Sequence, residues 1–178
     1  MSNAPDSSQS TVPASTREHT AERGGAEARI IRVSAVVLRD ELGRVLNVRK
    51  RGTSALMLPG GKHEPGEDPR DTAVRECAEE LDLALDRAAL RPLGVFRTAA
   101  ANEPGHLVEA TVFEHPLVPE AATATPQAEI AQLEWVDPTL ARDDLAPLNT
   151  ELVFPALLAE QAAGAATADP TTTEPSTS

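Results

Sequence analysis

The chain has one cysteine, Cys77, and no tyrosine. A lone thiol excludes an internal disulfide framework and fits a reducing compartment, so a cytoplasmic location is expected. Aromatic rings are limited to Phe96, Phe113, Phe154 and Trp135, which leaves Leu, Val, Ile and Ala to build the core. Long hydrophobic runs are missing too. Nothing approaches the roughly 18 residues that span a bilayer, and the N-terminus carries no apolar signal core, so no membrane partner is expected. Basic charge is also scarce: Lys plus Arg number 16 against 28 Asp plus Glu, a formal net charge of −12. With no basic arm, binding of duplex nucleic acid through its phosphates is disfavoured. An acidic chain that handles phosphate needs metal ions or a few local cations.

The 178 residues suit one domain with loose ends. Residues 1–28 are rich in Ser and Thr, and residues 163–178 in Ala, Thr and Pro. Neither stretch can bury enough apolar surface to offset its ordering entropy, so both are expected to be disordered tails. The folded unit is expected at 29–162, with no internal repeat. Ile30–Leu38 reads as a buried strand, Asp40–Gly43 as a turn and Arg44–Arg49 as a second strand, the two forming a hairpin. Leu56–Leu58 is a short apolar piece, followed by a polar loop to Glu67. Asp68 and Pro69 are an N-cap and first helical residue, which predicts a helix to about Leu81. Further strands are expected at Leu93–Thr98, Leu107–Glu114 and Ile130–Val136, and a closing helix over Leu148–Ala162. The mixture predicts an α/β fold, a mixed β-sheet flanked by helices.

In the helix after Pro69, Ala73, Cys77 and Leu81 recur every four residues and share the buried stripe. Glu76, Glu79 and Glu80 gather three carboxylates on an adjoining face, near the negative end of the helix dipole. Like charges at this spacing cost roughly 0.2–0.5 kcal/mol per pair. A divalent cation removes the penalty, and clustered carboxylates suit Mg²⁺ or Mn²⁺ better than Zn²⁺, which prefers His and Cys. Acidic helix faces are usually only solvated; the loop in front tips the balance. Gly60-Gly61 permits close backbone approach, and Arg75 is placed to clamp Glu67 against the helix.

From Gly61 to Leu83 the sequence resembles the Nudix box, G-x5-E-x7-R-E-U-x-E-E-x-G-U, where U is bulky and aliphatic. Gly61, Glu67, Arg75, Glu76, Glu79, Glu80 and Leu83 fall in place. Cys77 stands at the first aliphatic position, and Asp82 replaces the last glycine, where a left-handed turn is expected. Leu58-Pro59-Gly60-Gly61-Lys62 resembles the lead-in to the box. Glu129 lies in a stretch similar to the loop that supplies a further metal-binding glutamate in MutT-type members. Asp143–Asn149 resembles the segment whose asparagine reads the purine base there. Asn149 has a second reading as a helix N-cap.

The resemblance implies a Nudix-type α/β/α sandwich and hydrolysis of a nucleoside diphosphate linked to another group. Gly61, Glu76, Glu79, Glu80 and Glu129 are then the metal-site candidates, and the four glutamates the catalytic ones. Arg49 and Lys50, with Arg51 beside them, and Lys62 are candidates for phosphate contacts; Glu67 and Arg75 are structural. The box region lacks the markers of ADP-ribose, dinucleoside-polyphosphate and coenzyme A hydrolases. A nucleoside triphosphate, oxidised purines included, is therefore the leading substrate, and a small nucleotide the expected partner of a monomer or homodimer. The alternatives are a nucleotide sensor without catalysis, or a hydrolase of other nucleotide conjugates. His63 is expected to face solvent, Cys77 to pack in the core, and Trp135 to pack under the sheet.

Overall fold

A computed structural model describes residues 29–101 and 103–167; the sequence-based expectations for 1–28 and 168–178 lie outside the described residues. The described residues include six strands and two α-helices: β1 (Arg29–Leu38), β2 (Val45–Lys50), β3 (Gly60–Lys62), α1 (Pro69–Leu81), β4 (Arg91–Ala99), β5 (His106–His115), β6 (Ile130–Val136) and α2 (Phe154–Thr167). One sheet has the order β3-β1-β5-β4, in which β1 and β5 are parallel and the other pairs antiparallel. A second, two-stranded sheet pairs β2 with β6. Both faces of β1 are covered, which is why its C-terminal half is continuously apolar. Val36 and Leu38 pack into the cluster that contains Cys77 and Leu81 of α1, while Ala35 and Val37 pack into that of Phe154 and Leu157 of α2. A mixed sheet between two helical layers is the expected α/β/α sandwich.

Helix α1 begins and ends as its sequence dictates. Asp68 accepts a hydrogen bond from the Arg70 N–H, and Pro69 needs no donor at the first helical position. At the other end Asp82 takes φ 55°, and its N–H and that of Leu83 cap the Ala78 and Cys77 carbonyls. Aspartate does here what glycine does in the consensus box.

Three local expectations are corrected. β1 and β2 do not form a hairpin: a bridge joins Arg39 and Val45, after which the strands enter different sheets. The polar loop after Pro59 starts instead as β3, whose backbone pairs with Val33–Ala35 of β1. The closing segment winds as a π-helical turn over Leu148–Val153 before α2, which continues to Thr167, beyond the Ala162 boundary expected from composition. No helix among the described residues is long and apolar enough to cross a membrane.

Candidate active site

Two glycines bring β3 against both β1 and α1. Gly60 has φ 148°, and a Cβ there would strike the Ser34 carbonyl. At Gly61 a Cβ would overlap the Glu76 carboxylate. The missing side chains therefore let the loop backbone lie directly on the acidic face of α1. The Gly60 N–H donates to Glu80 Oε2 at 2.9 Å, tying strand to helix.

The three helix carboxylates have different surroundings. Glu80 is 1% exposed, and Glu76 is also buried. Burial pushes the Glu80 carboxyl above the usual range, the Lys50 ammonium and Gly60 N–H pull it back, and the Glu76 charge raises it. Glu80 Oε1 lies 2.9 Å from Lys50 Nζ but has no hydrogen bond of good geometry. Glu79 is exposed, in loose contact with Arg75 at 3.5 Å. Arg75 donates to both oxygens of Glu67, at 2.8 and 2.9 Å, to Glu76 at 2.8 Å and to the Lys62 carbonyl at 3.1 Å. That clamp is the one the spacing predicts. It holds the Glu67 carboxyl well below the usual carboxylate range, with the Glu64 N–H and the Thr72 hydroxyl adding to it.

Lys50 and Glu129 come from the second sheet. Arg49 stands opposite Gln132, but Lys50 opposite Ile130, so Ala131 is an extra residue in β6. Such a bulge re-aims its neighbours, and here Lys50 Nζ meets Glu129 Oε1 at 2.7 Å. Burial works against the Lys50 charge, yet Glu80 and Glu129 together raise its pKa above the ordinary lysine value.

Lys50, Gly61, Lys62, Glu76, Glu79 and Glu129 line one cleft of about 520 Å³. Its apolar lining comes from Val33, Ala35, Leu58, Val108 and Leu148, residues of separate elements that in sequence read as core. Glu103 also lines it and pairs with Lys62 at 2.8 Å; nothing in its sequence neighbourhood marks it.

Three expected positions are corrected. Arg49 does not line this cleft: strand alternation turns it away from Lys50, to Asp144 at 2.9 Å and Gln132 at 3.1 Å. Asn149 has no exposed surface, and its side-chain amide donates to Asn47 Oδ1. It neither reaches the cleft nor caps a helix. A lone asparagine in the apolar strand Val45-Leu46-Asn47-Val48 was the available sign of a buried polar partner. His63 is half-buried and bonded to the Ser34 hydroxyl at 2.9 Å, rather than free in solvent. Cys77 and Trp135 pack against the core as expected, and burial drives the Cys77 thiol pKa up, away from nucleophilic use.

The NUDIX domain family matches residues 28–155, and the chain belongs to that family. It is 34% identical over 79 residues to a Mycobacterium tuberculosis protein named "Putative 8-oxo-dGTP diphosphatase 3", covering 44% of this chain and 36% of that one. To the Bacillus subtilis "Putative 8-oxo-dGTP diphosphatase" it is 27% identical over 103 residues, 58% of this chain and 64% of the relative. The chain thus spans less than two thirds of the length of either relative. Among solved structures, the MutT protein of Methanosarcina mazei superposes with a TM-score of 0.63 at 23% identity, over 76% of this chain and 97% of that one. The Escherichia coli ORF135 protein gives 0.58 at 26%, over 76% and 94%.

Proposed function

We propose that this protein is a metal-dependent pyrophosphohydrolase. Its substrate is a nucleoside diphosphate linked to a further group, foremost a nucleoside triphosphate, cleaved to monophosphate and pyrophosphate. The observation that carries the reading is the meeting of Glu76, Glu79 and Glu129 with Lys50 and Lys62 on one cleft, backed by the buried Glu80. The names of the two relatives support a purine triphosphate, oxidised purines included.

The residues fit Mg²⁺ or Mn²⁺. The side-chain donors are all carboxylate oxygens, one buried oxygen of Glu80 lacks a hydrogen bond, and the Gly61 Cα lies so near the Glu76 carboxylate that a Cβ would overlap it. Gly61, Glu76, Glu79, Glu80 and Glu129 would hold the ion. When bound, it supplies neutralising charge for the pyrophosphate and a more acidic water. Lys62 and Lys50 meet phosphate oxygens. Glu79 and Glu129, with side chains 56% and 59% exposed, are open to accept the proton of the attacking water. The Glu67–Arg75 clamp fixes the loop that presents Gly61 and Lys62.

The test is product chromatography on a nucleotide panel, with and without Mg²⁺. Hydrolysis should require the metal. Loss of one charged group from an electrostatic site costs on the order of a hundredfold, so Glu80→Gln should lower kcat/KM by at least that much. Near-normal turnover of every substrate by Glu80→Gln would reject the metal assignment.

A further inference from the structure

Lys50 sits where a cation belongs. Its ammonium is 2.9 Å from Glu80 Oε1, 2.7 Å from Glu129 Oε1 and 3.5 Å from the Gly60 carbonyl. Arg75 pairs with Glu76 at 2.8 Å. Among the described residues no three metal-ligating side chains converge as they stand, and the ammonium lies between the box carboxylate Glu80 and Glu129. Two facing carboxylates, one of them buried, need positive charge between them. A lysine ammonium is a compact point charge on a flexible stem, so it can fill that position and also leave it. An ammonium and a divalent cation cannot occupy the same few ångströms. The Lys50 side chain lines the cleft, which is the open route for it.

We propose that Lys50 is an exchangeable internal counter-ion: it fills the cation seat in the metal-free protein, and metal binding drives its ammonium into the cleft to a substrate phosphate. The inference rests on the metal reading given above. It makes Lys50 a coupling residue. The metal has to displace it, and a phosphate that accepts the displaced charge stabilises the displaced state, so each ligand strengthens the other.

The composition provides a direct test, because Lys50 and Lys62 are the only lysines in the chain. In the full-length protein with ¹³C-labelled lysine, saturating Mg²⁺ should shift the Lys50 side-chain signal, while Lys62, paired with Glu103, should hardly move. An unmoved Lys50 signal under demonstrated metal binding overturns the exchange and leaves the metal reading standing. Calorimetry with Mn²⁺ gives the second arm. Lys50→Met should bind Mn²⁺ about tenfold or more tighter than the parent, and its nucleotide KM should rise, so affinity and KM move in opposite directions. Lys62→Met removes the same charge from the same cleft and should leave Mn²⁺ affinity within about twofold. Equal tightening in both variants reduces the effect to net charge and overturns the proposal. Unchanged or weaker binding in a folded Lys50→Met does the same. No Mn²⁺ binding by the parent defeats both the metal reading and the exchange. If Lys50→Met does not fold, the lysine signals of the parent still decide.

Discussion

At Gly61 a single hydrogen in place of a side chain sets the distance between the loop backbone and Glu76. Gly61→Ala must push the Glu76 carboxylate aside. The expected result is a loss of kcat of at least about tenfold with a small change in melting temperature, because a carboxylate side chain can yield where backbone cannot. Kinetics beside a melting curve separate the two effects. Asn149 is expected to behave in the opposite way. Its amide is fully buried against Asn47, so Asn149→Ala leaves the Asn47 acceptor unpaired and costs about 1–3 kcal/mol of stability. The ranking of purine and pyrimidine triphosphates should not change. A weakened purine preference at constant melting temperature would return Asn149 to base reading.

At the level of elements, α1 carries three carboxylates of the proposed site, Glu76, Glu79 and Glu80, and its two ends are set by local sequence. The C-cap is its weak point. Asp82 holds a left-handed conformation that glycine adopts without steric cost. Asp82→Gly should therefore raise stability by about 0.5–1 kcal/mol, read by chemical denaturation, with activity unchanged. A destabilised variant would show that the aspartate side chain matters more than its backbone angle. The clamp from α1 to the loop was legible in the sequence because Glu67, Arg75 and Glu76 lie close together in the chain and helix geometry fixes their faces. The site of Lys50 was not legible. It depends on one extra residue in β6, which pairs Lys50 with Ile130 and brings Glu129 within reach. Nothing local to either strand encodes that register.

At the level of the molecule, β2, β6 and the segment before α2 are locked by an ion-pair group away from the cleft. Asp144 accepts from Arg142 and Arg49, and Arg142 also pairs with Glu134. The Arg142 guanidinium and, after it, that of Arg49 hold the Asp144 carboxyl down from 3.8 to about 2. A carboxylate depressed in the folded state contributes stability that is complete above its unfolded value and is lost as pH falls toward its folded value. Acid unfolding should therefore steepen between 3.8 and about 2. Asp144→Asn should flatten the dependence of melting temperature on pH in that window; an unchanged slope would remove Asp144 from the acid response.

Sequence alone determined the strands other than β3, the caps of α1, its buried stripe and the Nudix-box residues that define the family. These are local features, set by period, capping chemistry and fixed spacing along one helix. Tertiary structure decided which charged side chains share a space. It turned Arg49 to Asp144 and Lys50 to Glu80 and Glu129, because neighbouring residues of a strand face opposite sides. It buried Asn149 on Asn47, 102 residues away. It sent β1 and β2 into different sheets and assembled the apolar wall of the cleft from residues that locally read as core. Such pairings depend on which strands lie side by side and in what register, and long-range packing sets both.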